Sequence, residues 1–271
     1  MRTRLLMLCA LLLPPVALAG PYAPGADDPL TSAISAGSSN ISGWASGSRD
    51  LIRGPVNNSD LSQGYASHGS GSDALGPADA TPEAPYPVVS LGDGGRITLT
   101  FDRPIGNGPG ADFAVFENGF NDSFLELAFV EVSSDGTTFH RFNAVSLTQR
   151  TTQVDSVLTV IDPTDINNLA GKYRAGFGTP FDLAELAGTA GLDINNITQI
   201  RITDVVGSIN PAYGTTDSLG KLINDPWPTP FATGGFDLDA VGVLNFAPVP
   251  EPCTSLLLAS AALIFTARRR R

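Results

Sequence analysis

Short segments in which apolar and polar residues alternate recur between residues 96 and 246, and they constrain the fold more than any other feature of this chain. In RITLTFD, Ile97, Leu99 and Phe101 fall on one side of an extended backbone, with polar residues between them. A period of two is typical of a β-strand with one buried face. ITQIRITDVVG and FDLDAVGVLNF, residues 197–207 and 236–246, show related alternation.

Two further segments predict a central strand and a hairpin. DFAVFEN, residues 112–118, is apolar on both faces, which is typical of a strand buried inside a sheet. FLELAFVEV and FHRFNAV are joined by SSDGTT, in which Asp135-Gly136 is a strong hairpin signal. The sequence therefore predicts several antiparallel strands between residues 88 and 246.

One segment carries helix signals. TPFDLAELAG offers Thr179 as N-cap, Pro180 as first helical residue, Asp182 in the first turn and Gly188 beyond the end. No repeat of 20 to 50 residues indicates a solenoid or propeller. We predict an all-β domain over residues 88–246, specifically a jelly-roll β-sandwich with long loops and one or two short helices.

Residues 20–87 are rich in Ser and Gly, a composition that favours disorder. Within them, Trp44, Leu51 and Ile52 are apolar side chains that a folded partner could bury. We therefore predict an irregular N-terminal layer over residues 20–87 that is partly docked on the β domain.

The two ends of the chain carry targeting features. Residues 1–19 combine Arg2 and Arg4 with an apolar stretch and small residues before Gly20, which predicts a signal helix that signal peptidase removes. At the other end, residues 253–267 form an apolar segment shorter than the roughly 20 residues of a self-sufficient membrane helix. By the positive-inside rule, the basic cluster that follows should stop transfer and stay cytoplasmic; it consists of Arg268, Arg269, Arg270 and Arg271.

Pro250, Glu251 and Pro252 precede the apolar segment, and prolines hold such a strip in an extended conformation. Residues 249–271 contain, in this order, an acid between two prolines, a hydrophobic helix and a cluster of arginines. This order resembles the PEP-CTERM sorting signal of Gram-negative bacteria. The resemblance implies that an exosortase recognises residues 250–252 and processes the chain there. It also implies an inner-membrane intermediate, held by the C-terminal helix, that precedes delivery to the cell surface or extracellular matrix.

Charge and cysteine content exclude several classes of function. The chain has 16 basic and 27 acidic residues; six of the basic residues and one acidic residue lie in the terminal segments, which leaves residues 20–249 with a net charge of −16. Such a surface repels nucleic acid. The cysteines, Cys9 and Cys253, lie in the targeting segments, so the domain between them has neither disulfides nor thiolate metal sites.

The sequence carries none of the common catalytic motifs, which favours a protein that is not an enzyme. His68 and His140 are the histidines of the chain, and no known nucleophile motif accompanies them. Glycoside hydrolysis requires two carboxylates at a defined distance from each other. Several acids of this chain could form such a pair, but a sequence does not fix the distance between their side chains. These acids are Glu117, Glu126, Glu131, Asp237 and Asp239.

The spacing of two of these acids predicts a calcium site. In FDLDAVG, Asp237 and Asp239 project to one face of a strand, and Phe236, Leu238 and Ala240 project to the other. Oxygen ligands without sulfur favour calcium. Glu117, Asn118 and Asp122 are candidates to complete the oxygen shell; alternatively, Glu117 caps the turn that follows it. The alternative, weighed equally, is that Asp237 and Asp239 simply face water.

Aromatic residues in the loops are candidates for sugar contacts, because an aromatic face stacks against a sugar ring. The candidates are Trp227, Tyr213, Tyr173 and Trp44. The alternative for Trp227 is that it anchors its own proline-rich loop, DPWPTP.

A second resemblance concerns the domain itself. GPGADFAVFENGF, LELAFVEVSSDGTTF and GGFDLDAVGVLN are similar to an extracellular domain of bacterial surface proteins, and the order of strands resembles galactose-binding-like modules at the level of fold. The resemblance implies a non-catalytic protein that binds glycan or exopolysaccharide. A structural biofilm or envelope component without a small ligand is the alternative, and a glycan-active hydrolase is less favoured.

Overall fold

The computed structural model describes residues 19–156 and 160–249 as a sandwich of two antiparallel β-sheets. Strands and isolated β-bridges account for 29% of the described residues and helices for 4%, which confirms the predicted all-β fold. The predicted signal helix, apart from Ala19, and the predicted sorting segment, apart from Val249, lie outside the described residues.

The described ranges contain thirteen strands, numbered in chain order. They are β1 (Ile34–Ser35), β2 (Gly43–Trp44), β3 (Gly47–Ile52), β4 (Val89–Ser90), β5 (Arg96–Ile105), β6 (Phe113–Glu117), β7 (Ala128–Ser133), β8 (His140–Arg141), β9 (Val145–Ser146), β10 (Ile166–Asn167), β11 (Phe177–Phe181), β12 (Ile197–Asp204) and β13 (Asp237–Val243). Short 3₁₀ helices occupy Leu61–Gln63, Pro163–Asp165 and Leu183–Leu186.

Eleven of these strands form two sheets. The first has the order β1-β11-β6-β13-β2, with β4 also paired to β13, and the second has the order β3-β5-β12-β7-β8. The strands β9 and β10 pair with each other apart from both sheets. All pairings are antiparallel, so the last residue of β6 lies beside the beginning of β13, at one end of these two neighbouring strands.

The main core lies between the two sheets. It contains apolar side chains of β5, β7 and β12 from one sheet and of β6 and β13 from the other. Three of its phenyl rings pack together, with Phe113 and Phe181 stacked at 5.3 Å and Phe142 against both. Burial of large aromatic side chains is a main source of stability in such a core.

The predicted strands and hairpin are present. The segments RITLTFD, DFAVFEN, ITQIRITDVVG and FDLDAVGVLNF contribute β5, β6, β12 and β13, and β7 pairs with β8 across the turn at Asp135-Gly136. Asp135 accepts hydrogen bonds from the backbone N–H of Thr137 and Thr138. Gly136 adopts a positive φ of 76°, which favours glycine at this position.

The N-terminal residues supply strands to both sheets. Trp44 of β2 pairs with Gly242 of β13 in the first sheet, and β3 pairs with β5 as an edge strand of the second. Leu51 packs against the main core, whereas Ile52 is 49% exposed.

The predicted helix start at Thr179 is wrong. Thr179 and Pro180 lie in β11, opposite Val115 and Ala114 of β6. The turn that follows is a 3₁₀ helix, Leu183–Leu186, capped by the carboxylate of Asp182, which accepts a hydrogen bond from the N–H of Ala184. Asp182 can cap this helix without breaking the β11–β6 pairing, whereas Thr179 is part of that pairing. The helix therefore begins after Asp182 and not after Thr179.

None of the helices in the two described ranges is long and apolar enough to cross a membrane. The apolar segment 253–267 lies outside those ranges.

Candidate functional site: an acidic pocket

Buried carboxyl groups are unusually frequent in this domain. Nine Asp and Glu residues are buried among those described, and eight of them accept at least one hydrogen bond from another residue. Those eight are Asp93, Asp112, Glu117, Asp204, Asp217, Asp225, Asp237 and Asp239. The ninth, Glu126, accepts none from the residues that the structure describes.

The hydrogen-bonded acids mostly hold loops in place. Asp204, at the end of β12, accepts the N–H groups of Gly94 and Phe236 at 2.8 and 2.7 Å. Asp225 accepts the N–H of Leu127 at 3.0 Å. A carboxylate that bridges backbone donors of separate segments satisfies groups that would otherwise be buried unpaired, so these acids have a structural role.

A pocket of about 290 Å³ opens beside these acids, and we call it the acidic pocket. Its lining comes from the segment after β6, the loop before β13 and Ser156. The lining residues are Asn118, Phe120, Asn121, Phe124, Glu126, Ser156, Thr229, Phe231, Thr233 and Asp237. Both main segments reach it because β6 ends where β13 begins.

Three phenyl rings contribute to the lining of the pocket. The rings of Phe120 and Phe124 lie 5.7 Å apart at an angle of 44°. Phe120 and Phe231 are 53% and 52% exposed, a high exposure for such apolar side chains. An exposed aromatic surface that borders a cavity is typical of a binding site.

Glu126 is the distinctive residue of the pocket. It is only 8% exposed, it lines the cavity, and its carboxyl group makes no hydrogen bond or ion pair within the described part of the chain. Burial raises the pKa of Glu126 well above its usual value, and the neighbouring carboxyl groups of Asp237 and Glu117 raise it further. A buried carboxylate without a donor is costly, so this position calls for a proton or a cation.

Asp237 lies beside Glu126 at the start of β13. Its Oδ2 accepts a hydrogen bond of 3.1 Å from Asn118, whereas its Oδ1 is enclosed and accepts no hydrogen bond from the described residues. The Ser90 hydroxyl is near enough to lower the pKa of Asp237, although the two side chains do not form a well-aligned hydrogen bond. Burial prevails over these contacts and raises the pKa of Asp237 to about 6.

The predicted calcium ligands are only partly brought together. Asp237 and Asp239 follow one another on β13 with Leu238 directed into the core between them. Ala240, expected beside Leu238, packs instead with Ala114 and Phe116, because the register shifts between residues 238 and 240. The bulge therefore changes which residues share a face.

The same ligands have other partners. The carboxylate of Asp239 accepts the N–H groups of residues 79 and 80, and Glu117 accepts the N–H of Gly119. Asp122 forms an ion pair with Arg174 at 2.9 Å. Within residues 19–156 and 160–249, no group of three or more His, Cys, Asp or Glu side chains is arranged to hold a metal ion. The calcium site stays a prediction.

The predicted sugar-contacting aromatics lie outside the lining of the acidic pocket. Trp227 donates from Nε1 to Asp93 at 2.9 Å and stacks on Tyr213, which anchors its loop. Tyr173 is 1% exposed, and its hydroxyl group bonds to Ser32, so a ligand does not reach its ring in this structure. Trp44 packs on Phe116, outside the main core.

Sequence reasoning missed the aromatic lining of the pocket. Phe120 and Phe124 lie in GFNDSF and Phe231 in PTPF, each in a loop beside a strand. For Phe120 and Phe231 the available signal was a phenylalanine next to Asn, Pro or Gly, where no alternation predicts a core position, whereas Phe124 begins the predicted strand segment FLELAFVEV. Neither a protein-family model nor a curated protein sequence matches this chain.

Proposed function

We propose that this protein is an exported, non-catalytic glycan-binding protein of the cell surface or extracellular matrix, built on a β-sandwich of the jelly-roll type. The observation that carries the proposal is the acidic pocket, where partly exposed phenyl rings and buried polar side chains line one cavity. That combination suits a sugar, which has apolar C–H faces and polar edges.

The size and chemistry of the pocket support one sugar unit. Its volume of about 290 Å³ is near the lower end of the roughly 300–1,000 Å³ range of small-molecule sites. Asn121, Thr229 and Thr233 add amide and hydroxyl groups to the lining, and these both donate and accept hydrogen bonds, as sugar hydroxyls require. The phenyl rings of Phe120 and Phe231 offer exposed surface for stacking.

The terminal segments support the proposed route to the surface. Signal peptidase removes residues 1–19, and the hydrophobic segment then holds the protein in the inner membrane of a Gram-negative bacterium. An exosortase acts at Pro250, Glu251 and Pro252 and delivers the domain to the surface or matrix. The net charge of −16 on residues 20–249 is compatible with hydrated, cation-rich surroundings.

A glycan array with residues 20–249 tests the proposed binding. We expect binding to at least one glycan class, and Phe231→Ala should weaken it about tenfold through loss of a stacking face. Tyr65→Ala is the matched control, because Tyr65 is similarly exposed at 59% and does not line the pocket.

Three results would contradict this function. Failure to bind any glycan would favour a structural envelope component. Equal losses in Phe231→Ala and Tyr65→Ala would place the site elsewhere. Cleavage of a bound glycan, detected by chromatography of the products, would restore the hydrolase alternative with Glu126 and Asp237 as its carboxyl pair.

A further inference from the structure

We infer that the acidic pocket is specific for a sugar that carries a free amine, whose ammonium group binds the Glu126 carboxylate between the phenyl rings. The ligand class is an amino sugar that is not N-acetylated, either free or within a partly deacetylated glycan. The inference rests on the proposed glycan-binding function and adds a chemical specificity to it.

The first argument is the isolation of Glu126. Its side chain is more than nine-tenths buried, lines the cavity and has no hydrogen-bond donor among the described residues, whereas the eight other buried acids each have one. An ammonium group offers three N–H donors and a positive charge, which together compensate a buried carboxylate. A neutral sugar hydroxyl supplies only one donor and no charge.

The second argument is the aromatic lining. Phe120 and Phe124 lie 5.7 Å apart, and Phe231 lines the same cavity. The face of a phenyl ring carries negative electrostatic potential and attracts an ammonium group within about 6 Å of its centre. Rings of this kind would add little to the binding of a bare metal ion, which prefers oxygen ligands.

The third argument is the charge around the pocket. The carboxyl groups that act most strongly on Glu126 are, in decreasing order, Asp237, Glu117, Asp225 and Asp204. The basic side chains that lower the pKa of neighbouring Asp237 are those of His68 and Arg53, and the Arg53 guanidinium donates to the carbonyl groups of residues 68, 69 and 90. A cationic ligand favours the ionised forms of these carboxyl groups, so it gains more from this cluster than a neutral ligand does.

The protonation state of Glu126 gives the inference a second observable. Burial and the neighbouring acids raise the pKa of Glu126, so the empty pocket favours the protonated form. An ammonium group favours the ionised form. Binding should therefore release a proton, and the heat of binding should depend on the ionisation enthalpy of the buffer.

Isothermal titration calorimetry of residues 20–249 with three tetrasaccharides tests the inference. The probes are the β-1,4-linked tetramers of glucosamine, N-acetylglucosamine and glucose, which differ mainly at one substituent. We expect the glucosamine tetramer to bind at least about tenfold more tightly than the other two, with proton release. Glu126→Gln should weaken its binding about 10- to 100-fold and remove the proton release.

Glu131→Gln is the matched control, because it removes the same charge from a residue that pairs with Arg141 outside the pocket. Its affinity should match that of the unchanged protein, which excludes general attraction between an acidic protein and a cationic glycan. If Glu126→Gln does not fold, Phe120→Ala serves instead. Phe120 is 53% exposed, and its loss should reduce the preference for the glucosamine tetramer.

Each other result overturns the inference. Equal binding of the three tetramers, insensitive to Glu126→Gln, leaves the glycan-binding function intact and removes the amine specificity. Binding of calcium chloride alone, abolished by Glu126→Gln, identifies the pocket as a metal site. Failure of every tetramer, together with a negative glycan array, rejects both the inference and the proposed function.

Discussion

Asp204 and Glu126 are both deeply buried acids, but their surroundings differ. Asp204 accepts two backbone hydrogen bonds and thereby fixes the positions of two loops, whereas the Glu126 carboxyl group faces the cavity and has no donor within residues 19–156 and 160–249. Burial raises the pKa of both groups. Loss of the first residue should damage the fold, and loss of the second should damage binding.

The raised pKa values predict that the domain becomes more stable as the pH falls from 8 to 5. Burial raises the pKa of Asp239 to about 7 and that of Asp237 to about 6. In this window the folded protein binds more protons than the unfolded chain, so the free energy of unfolding falls as the pH rises. Each such group contributes a slope of at most about 1.4 kcal/mol per pH unit.

Urea unfolding of residues 20–249 at several pH values measures this slope. Asp239→Asn should flatten it between pH 5 and 8, because the variant has no proton to lose. Asp102→Asn, a substitution of an exposed acid, is the control for the change in net charge. A stability that is unchanged, or that increases towards pH 8, would contradict the burial argument.

At the scale of elements, the N-terminal strands complete the sandwich. The strand β2 pairs with β13 and β3 pairs with β5, so residues 43–52 cover an edge of each sheet. Ala45 belongs to the main core, and Leu51 packs against it. Removal of these strands would expose backbone donors and acceptors as well as apolar surface.

We therefore expect a chain that begins at residue 53 to lose cooperative unfolding. A chain that begins at residue 33 keeps β1, β2 and β3 and should unfold in one transition near that of residues 20–249. Differential scanning calorimetry compares the three chains. Equal melting temperatures would mean that the N-terminal strands are dispensable to the core.

At the scale of the whole molecule, the proposed protein has a binding domain between two targeting segments. The domain spans residues 20–249 and carries the acidic surface, and residues 250–252 stand between it and the hydrophobic segment. In the proposed route, this arrangement allows one cleavage to release the domain from the hydrophobic segment. The proposed function thus requires only that the pocket remains accessible after processing.

Substitution of Glu251 by Ala tests the sorting proposal. Export should continue, because residues 1–19 are unchanged, but an unprocessed precursor should accumulate in the membrane fraction of cells that contain the exosortase. Glu185→Ala, the same substitution within the domain, should be processed normally. Immunoblots of membrane and secreted fractions distinguish the two outcomes, and normal processing of Glu251→Ala would refute the sorting assignment.

Alternation predicted the strands well because it reflects burial of one face, as in β5 and β12. It failed at Ala240, where a bulge shifts the register, and at Thr179, where the pairing of β11 with β6 outweighs a local helix signal. The pocket was missed for a related reason. Phe120, Phe124 and Glu126 come from the segment after β6 and Phe231 comes from the loop before β13, and only the meeting of β6 and β13 brings those two segments together.

The central claim is that glycan binds in the acidic pocket, and mapping of backbone amide shifts by nuclear magnetic resonance tests it most directly. The measurement follows residues 20–249 during titration with the glucosamine tetramer. The account predicts that the largest shifts fall within residues 118–126 and 229–237, and that they disappear in Glu126→Gln but persist in Glu131→Gln. Largest shifts around Tyr213, or shifts spread evenly over the acidic surface, would contradict it.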